Sequence, residues 1–296
     1  MIEHALQQVH YLRGNGTPAP LRYRGEMVMA VAVGDLLREW RQRRRVSQLD
    51  LAGDAEISTR HLSFIETGRS TPSREVILRL ADQLEVPLRA RNTLLTAAGY
   101  APVFVERSLD DPALALARMA IERLLAAHEP FPAIAVDRHW TLVAGNRAAS
   151  MMMTGADAGL LKPPVNVLRL SLHPNGLASR IENLEEWRTH VLGRLRRQVE
   201  VSADPTLVAL LKELSDLAPL GSTGGTHDYA GVLVPLRFAT DAGVLSFFST
   251  TTIFGTPVDI TLSEIALESF FPADAATAEA LRVRAQGDQG DRGGRH

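Results

Sequence analysis

The apolar positions of the first hundred residues fall into short runs with helical spacing. Leu36, Leu37 and Trp40 stand at i, i+1 and i+4 and share one face. Leu62 and Ile65 follow at i and i+3, and Val76, Ile77, Leu80 and Leu84 repeat the pattern. Before these runs stand residues able to accept a bond from an unpaired helix N–H. Ser47 precedes Gln48–Asp54, Ser58 opens the third helix, and Thr71-Pro72-Ser73 opens the fourth. Asp50, three residues after Ser47, is expected to act as the reciprocal acid of a capping box. Gly68 supplies a left-handed stop, and Pro87 suits the first turn of a fifth helix through Leu94 and Leu95. An all-α domain of five short helices is therefore predicted over residues 33–100.

Beyond Tyr100 the pattern changes. Pro102 and Asp110-Asp111-Pro112 mark residues 101–111 as a linker, and Asp111 can cap an apolar-rich helix, Pro112–Ala127. Phe131–Ala144 alternates and turns at Asp137-Arg138-His139, which predicts a hairpin. A short helix, Asn146–Met153, comes next. Longer helices are predicted at Ala178–Val201 and Pro205–Leu217, and a meander of strands at Val232–Phe238, Gly243–Ile253 and Val258–Glu268. Residues 112–274 are thus expected to form an α+β domain with an antiparallel sheet. Residues 1–32, which carry Gly14-Asn15-Gly16-Thr17-Pro18-Ala19-Pro20, are expected to be a flexible extension, with Met27 and Met29 as alternative starts. Residues 275–296, ending in a Gly/Arg/Asp run, are expected to be a disordered tail.

Composition narrows the class. Apolar residues at 45% and charged residues at 22% are ordinary for soluble globular proteins. The absence of cysteine excludes a disulfide framework, a thiolate zinc site and a cysteine nucleophile together, and it fits a reducing cytoplasm. No apolar run approaches the ~18 residues that span a bilayer, so a cytoplasmic protein with no membrane partner is expected. The net charge of −2 is unevenly divided. Residues 34–100 hold eleven arginines against nine acids, a net +2, whereas residues 101–274 carry a net −6. A mildly basic module is joined to an acidic one.

The stretch Ser47-Gln48-Leu49-Asp50-Leu51-Ala52, then Ile57-Ser58-Thr59-Arg60-His61-Leu62-Ser63-Phe64-Ile65-Glu66-Thr67-Gly68-Arg69, resembles the lambda-repressor-like, Xre-type helix-turn-helix domain. That family usually has glycine in the inter-helix turn, where this chain has Glu56; a non-glycine residue at positive φ costs on the order of 1 kcal/mol. The resemblance implies double-stranded operator DNA as partner, with the N-terminal half of the third helix in the major groove. Ser58 begins that helix, and Thr59, Arg60 and Ser63 lie on its exposed side. Arg60 can give a guanine edge two hydrogen bonds, worth ~1–3 kcal/mol of discrimination, and Thr59 can offer its methyl to thymine. Gln48 matches a family position that holds a phosphate and braces the recognition helix. Arg69, Ser70, Thr71 and Arg74 sit where backbone phosphates pass. Phe64 is read as core rather than groove contact, and Glu66 as support for the helix end or a neighbouring arginine. Because one such motif buries little surface, a homodimer is expected.

Catalytic signatures are missing. There is no HExxH, P-loop, GxSxG or GxGxxG, and Gly221–Thr226 lacks the Lys-Ser/Thr ending of a phosphate cradle. His128, His139, His173, His190 and His227 show no i, i+4 pairing, so neither a metal nor an enzyme active site is expected. Residues 130–153, with the run Asp137…Trp140…Asn146-Arg147, resemble the opening of a PAS-type domain. Together with residues 166–177 and 231–271 they are similar to the MmyB-like ligand-binding domain, which follows an Xre-type domain in that family. The resemblance implies a PAS-like fold that can hold a fatty-acid-like molecule, and no other cofactor. Trp140, Met151 and its neighbours, Phe247 and Phe254 are candidate lining residues, although filling a core is the commoner use of such side chains. Arg147 and Arg180 are candidate carboxylate anchors. The function expected is a transcription regulator whose operator binding responds to a small apolar ligand. The alternatives are a C-terminal half used only for dimerisation or partner docking, and an enzyme domain carried by a DNA-targeting module.

Overall fold

The computed structural model describes residues 32–217, 234–241, 243–255 and 259–293, with side chains to residue 286. Residues 1–31 of the expected extension and the Gly221–Thr226 loop lie outside the described residues.

The five expected helices form: α1 (Val33–Arg43), α2 (Gln48–Asp54), α3 (Thr59–Glu66), α4 (Arg74–Gln83) and α5 (Leu88–Ala97). Their serine caps are made. Ser47 Oγ accepts from the Asp50 N–H at 3.1 Å, Ser58 Oγ from His61 at 3.1 Å and Ser73 Oγ from Val76 at 3.3 Å. The reciprocal half of the box at Ser47 is not made. The Asp50 carboxylate instead accepts from Ser47 Oγ at 2.6 Å, because aspartate is a methylene shorter than the usual glutamate. Leu37, Leu51, Leu62, Ile65, Ile77, Leu80, Leu94 and Leu95 close one core. Helix α1 crosses α3 in backbone contact at Gly34, where a Cβ would lie 2.1 Å from the Ile65 carbonyl oxygen. Glu56 takes φ +53°, as the turn requires.

The second domain is a five-stranded antiparallel sheet of order β2-β1-β5-β4-β3, the PAS-like α+β class expected. Its strands are β1 (Ala133–Val136), β2 (Leu142–Gly145), β3 (Leu236–Thr240), β4 (Gly243–Ile253) and β5 (Ala266–Pro272). All four β1 residues are buried because both sheet faces are covered. Ile134 and Val136 pack with Met153 of α7 (Arg147–Met153) and Leu170 of α8 (Val167–Leu172). Ala133 and Ala135 meet Ile121 and Leu125 of α6 (Ala115–Ala127), which a 3-10 turn, Pro112–Leu114, precedes. Helices α9 (Leu184–Ser202) and α10 (Pro205–Asp216) close the largest core against β3 and β4.

Several expected boundaries are corrected. Ala178–Val201 is not one helix. Ile181 is extended and bridges Phe238, while the Asn183 amide holds the Arg237 N–H and the Pro235 carbonyl, so α9 begins only at Leu184. Strand β3 starts four residues later than read. The strand expected over Val258–Glu268, whose described residues begin at Asp259, is replaced by a helix and the start of a later strand. Asp259 accepts from Thr261 at 2.9 Å and caps a short helix, α11 (Ile260–Ser263), and β5 then runs past Glu268 to Pro272. The expected disordered tail is instead helix α12 (Ala275–Gly293). Asp274 accepts from the Thr277 N–H at 2.7 Å, and Leu281 is buried against the large core, which gives the segment both a cap and an anchor.

The linker is clasped from both sides. Asn92 of α5 bonds the backbone of Val103 and Phe104. Val105 then pairs with Asp259, and its carbonyl accepts from Ile260 at 2.9 Å. Arg107 pairs with Asp259 at 2.9 Å.

Candidate functional site

The two-helix unit α2–α3 is held by one buried carboxylate. Glu66, at the end of α3, is 1% exposed and accepts from Arg41 through Nε at 2.7 Å and Nη2 at 2.8 Å. Gln48 Nε2 donates to the same carboxylate at 2.8 Å, and Arg38 donates to the Glu66 carbonyl. Burial pushes the Glu66 carboxyl up, but the bonds from Arg41 and Gln48 and the charges of Arg41 and Arg38 outweigh it and hold it below the usual range. Gln48 thus braces the recognition helix through Glu66. Arg44 is spent on the Leu84 and Glu85 carbonyls and Arg43 on Glu39.

What remains outside is the start of α3. Arg60 is exposed, Thr59 and Ser63 are half-buried beside it, and the Ser58 hydroxyl is occupied as cap. Arg60 and Arg69 both stand over the Phe64 ring, at 5.3 and 6.0 Å. Phe64 is therefore a partly exposed platform rather than a core residue. Among the described residues neither arginine has a carboxylate partner, and Arg74 has none. Ser70 is half-buried and Thr71 and Arg74 are exposed along the same flank. Of the nine nucleic-acid candidates, Arg60 and Arg69 are brought together on Phe64, while Gln48 and Ser58 are committed to internal bonds.

The sensor-side candidates are not brought together. An apolar cavity of about 100 Å³ lies between the sheet and α7, α8 and α9, lined by Ile134, Trp140, Met153, Leu168, Trp187 and Phe270 among others. Trp140 faces it as expected. Met152 and Met153 line it, whereas Met151 does not. Phe247 is fully buried in the large core, and Phe254 packs with Ile121 and Leu125 across the sheet. Arg180 caps the Met152 and Thr154 carbonyls and lies 4.3 Å from the Phe238 ring, so it is a structural clamp. Arg147 starts α7, with its N–H on Glu129, and does not line the cavity. Among the described residues no cluster of metal-ligating side chains occurs.

Residues 117–283 match the model of the MmyB-like transcription regulator ligand binding domain, more than half the chain. The chain belongs to this family. Residues 32–94 match a helix-turn-helix domain, so the protein is a transcription regulator with both modules in the expected order. A protein of Methanoculleus marisnigri, provisionally named an HTH-type transcriptional regulatory protein, is 37% identical over 116 residues. That match covers 38% of this chain and 37% of the relative's length. Among solved structures, the clp gene regulator ClgR from Corynebacterium glutamicum is similar at 24% identity, over 36% of this chain and 99% of that one, with a TM-score of 0.21. An RNA-binding light-oxygen-voltage receptor is similar at 13% identity, over 86% of this chain and 64% of that one, with a TM-score of 0.24. Among the described residues, no helix of the regulator is long and apolar enough to cross a membrane.

Sequence reasoning missed the junction between the regulator's modules. Arg89 of α5 pairs with Glu106 of the linker at 2.6 Å and with Glu264, just after α11, at 2.9 Å. The Arg89 bonds hold the Glu106 carboxyl below its usual range. Arg138 reaches Glu264 at 3.5 Å, and its carbonyl accepts from Gln198, which in turn accepts from the Trp140 indole N–H at 2.7 Å. Trp140 sits at φ +65°, a conformation a bulky residue adopts only when its surroundings impose it. It faces both the cavity and a cleft of about 890 Å³ between the modules.

Proposed function

We propose that this regulator reads a specific operator through Thr59, Arg60 and Ser63, and that a small apolar ligand in the cavity beside Trp140 modulates that binding. The observation that carries the reading is the exposed start of α3, where the Arg60 guanidinium has no acid partner among the described residues while the helix beneath is fixed by Glu66. Arg69, Ser70, Thr71 and Arg74 are then the phosphate contacts that set register. Two copies acting on a two-fold operator are part of the proposal, since one helix-turn-helix buries too little surface for tight binding. The ligand is fatty-acid-like in its hydrocarbon part, which the cavity walls favour.

The coupling route is the bonded series Trp140–Gln198–Arg138–Glu264–Arg89, which joins the cavity wall to the last helix of the DNA-binding module. The test is selection of operators from a random DNA pool by the full chain, repeated with cell lipid extract. A single enriched motif whose affinity shifts with extract is expected. Salt-dependent binding without a motif would overturn the operator assignment.

A further inference from the structure

The cavity is hydrocarbon on nearly every side, and its polar edge is built from an ion pair. Glu268 of β5 is 3% exposed and points to the cavity side of the sheet, on the same face as Phe270. Arg194 of α9 donates to it through Nη2 at 2.7 Å and Nη1 at 3.2 Å. Thr251 donates to the same carboxylate at 2.8 Å and accepts from Arg194 at 2.9 Å. The Trp140 ring lies 5.0 Å from the guanidinium, and Arg194, Thr251 and Glu268 also line the cleft. Arg194, the one cation lining the cavity among the described residues, is therefore matched by a carboxylate at contact distance. Among the described residues no unpaired positive charge lines the cavity, and its side-chain hydroxyls are those of Ser171 and Ser249. Ser171 Oγ accepts from the Trp187 indole at 3.0 Å, which leaves its own hydrogen for a ligand oxygen.

We infer that the Arg194–Glu268 pair is a charge filter, so that the cavity admits an uncharged apolar molecule carrying a single hydroxyl, carbonyl or amide and rejects a carboxylate. This rests on the cavity being a ligand site. An anionic head placed at that edge would lose its water and meet Glu268 before it met any free cation. A neutral head loses little, because Ser171 can donate to it and the Arg194–Glu268 pair carries no net charge. Size points the same way. A dry cavity of about 150 Å³ takes benzene, so one of about 100 Å³ takes a short chain or small ring.

Isothermal titration of the full chain at pH 7.5 with matched pairs, the C4 to C8 alkanols against the corresponding alkanoates, tests the filter. The alkanols are expected to bind about tenfold or more tightly than their alkanoates. In Glu268→Gln the alkanoates should gain about tenfold and the alkanols change less than about threefold, since Arg194 is then unmatched. Where that variant does not fold, the wild-type ratio decides alone. Alkanoates binding wild type as tightly as alkanols would overturn the filter and leave the cavity assignment standing. No binding by any member of either series would overturn the cavity assignment itself.

Discussion

Arg60 and Glu66 lie six residues apart on one helix and do opposite work: one guanidinium, over the Phe64 ring, has no acid partner among the described residues, and one carboxylate is fully paired inside. Arg60→Ala should relax preference at one operator position by ~1–3 kcal/mol in a binding-site selection, with the other positions unchanged. A uniform loss across all positions would make it a phosphate contact. Glu66→Ala, which strands Arg41 and unties Gln48, should cost ~3–5 kcal/mol in urea melts. Glu66 also predicts a pH limb. Its carboxyl is held below the ordinary value of 4.5, so its contribution is complete above that value and is lost as pH falls through the lowered one. Glu66→Gln should flatten the acid side of the stability curve. The sequence showed the support role of Glu66 because an acid among arginines at a helix end has few other uses. It did not show that Arg180 is consumed by three carbonyls, those of Met152, Thr154 and Ala239, since acceptors on the backbone leave no mark in residue identity.

Among the elements, legibility followed local determinants. Of the five N-terminal helices, α2, α3 and α4 have serine caps, α3 a glycine stop and α5 an opening proline, and with their periodic apolar faces they fall where those signals place them. The sheet was harder. Ala266–Pro272 carries an inward Glu268 that breaks apolar alternation, and the Asp259 cap turns the preceding residues into a helix. Helix α12 owes its form to burial of Leu281, a tertiary effect. One contact was invisible in sequence but controls packing. Gly34→Ala would set a methyl against the Ile65 carbonyl, and α1 would have to move from α3. The expected loss is ~1–3 kcal/mol, seen as a lower urea midpoint at unchanged slope.

At the scale of the molecule, the modules are joined through the Arg89 clasp on Glu106 and Glu264, the backbone pairing of Val105 with Asp259 and the Arg107–Asp259 ion pair. Arg89→Ala should leave operator affinity without ligand within about threefold and remove most of the ligand-dependent shift, a coupling of ~1–3 kcal/mol, measured by fluorescence anisotropy on operator DNA. Equal ligand response in that variant would place the coupling elsewhere. Acids and an arginine 175 residues apart cannot be paired from sequence, which is why this junction was read only as a linker. The clasp has a geometric consequence for DNA. In a dimer on two half-sites about 34 Å apart, a small rotation at the clasp changes the helical phase between the two recognition helices without altering either base-reading face. The effector would then leave the half-site sequence untouched and change which spacer length is preferred.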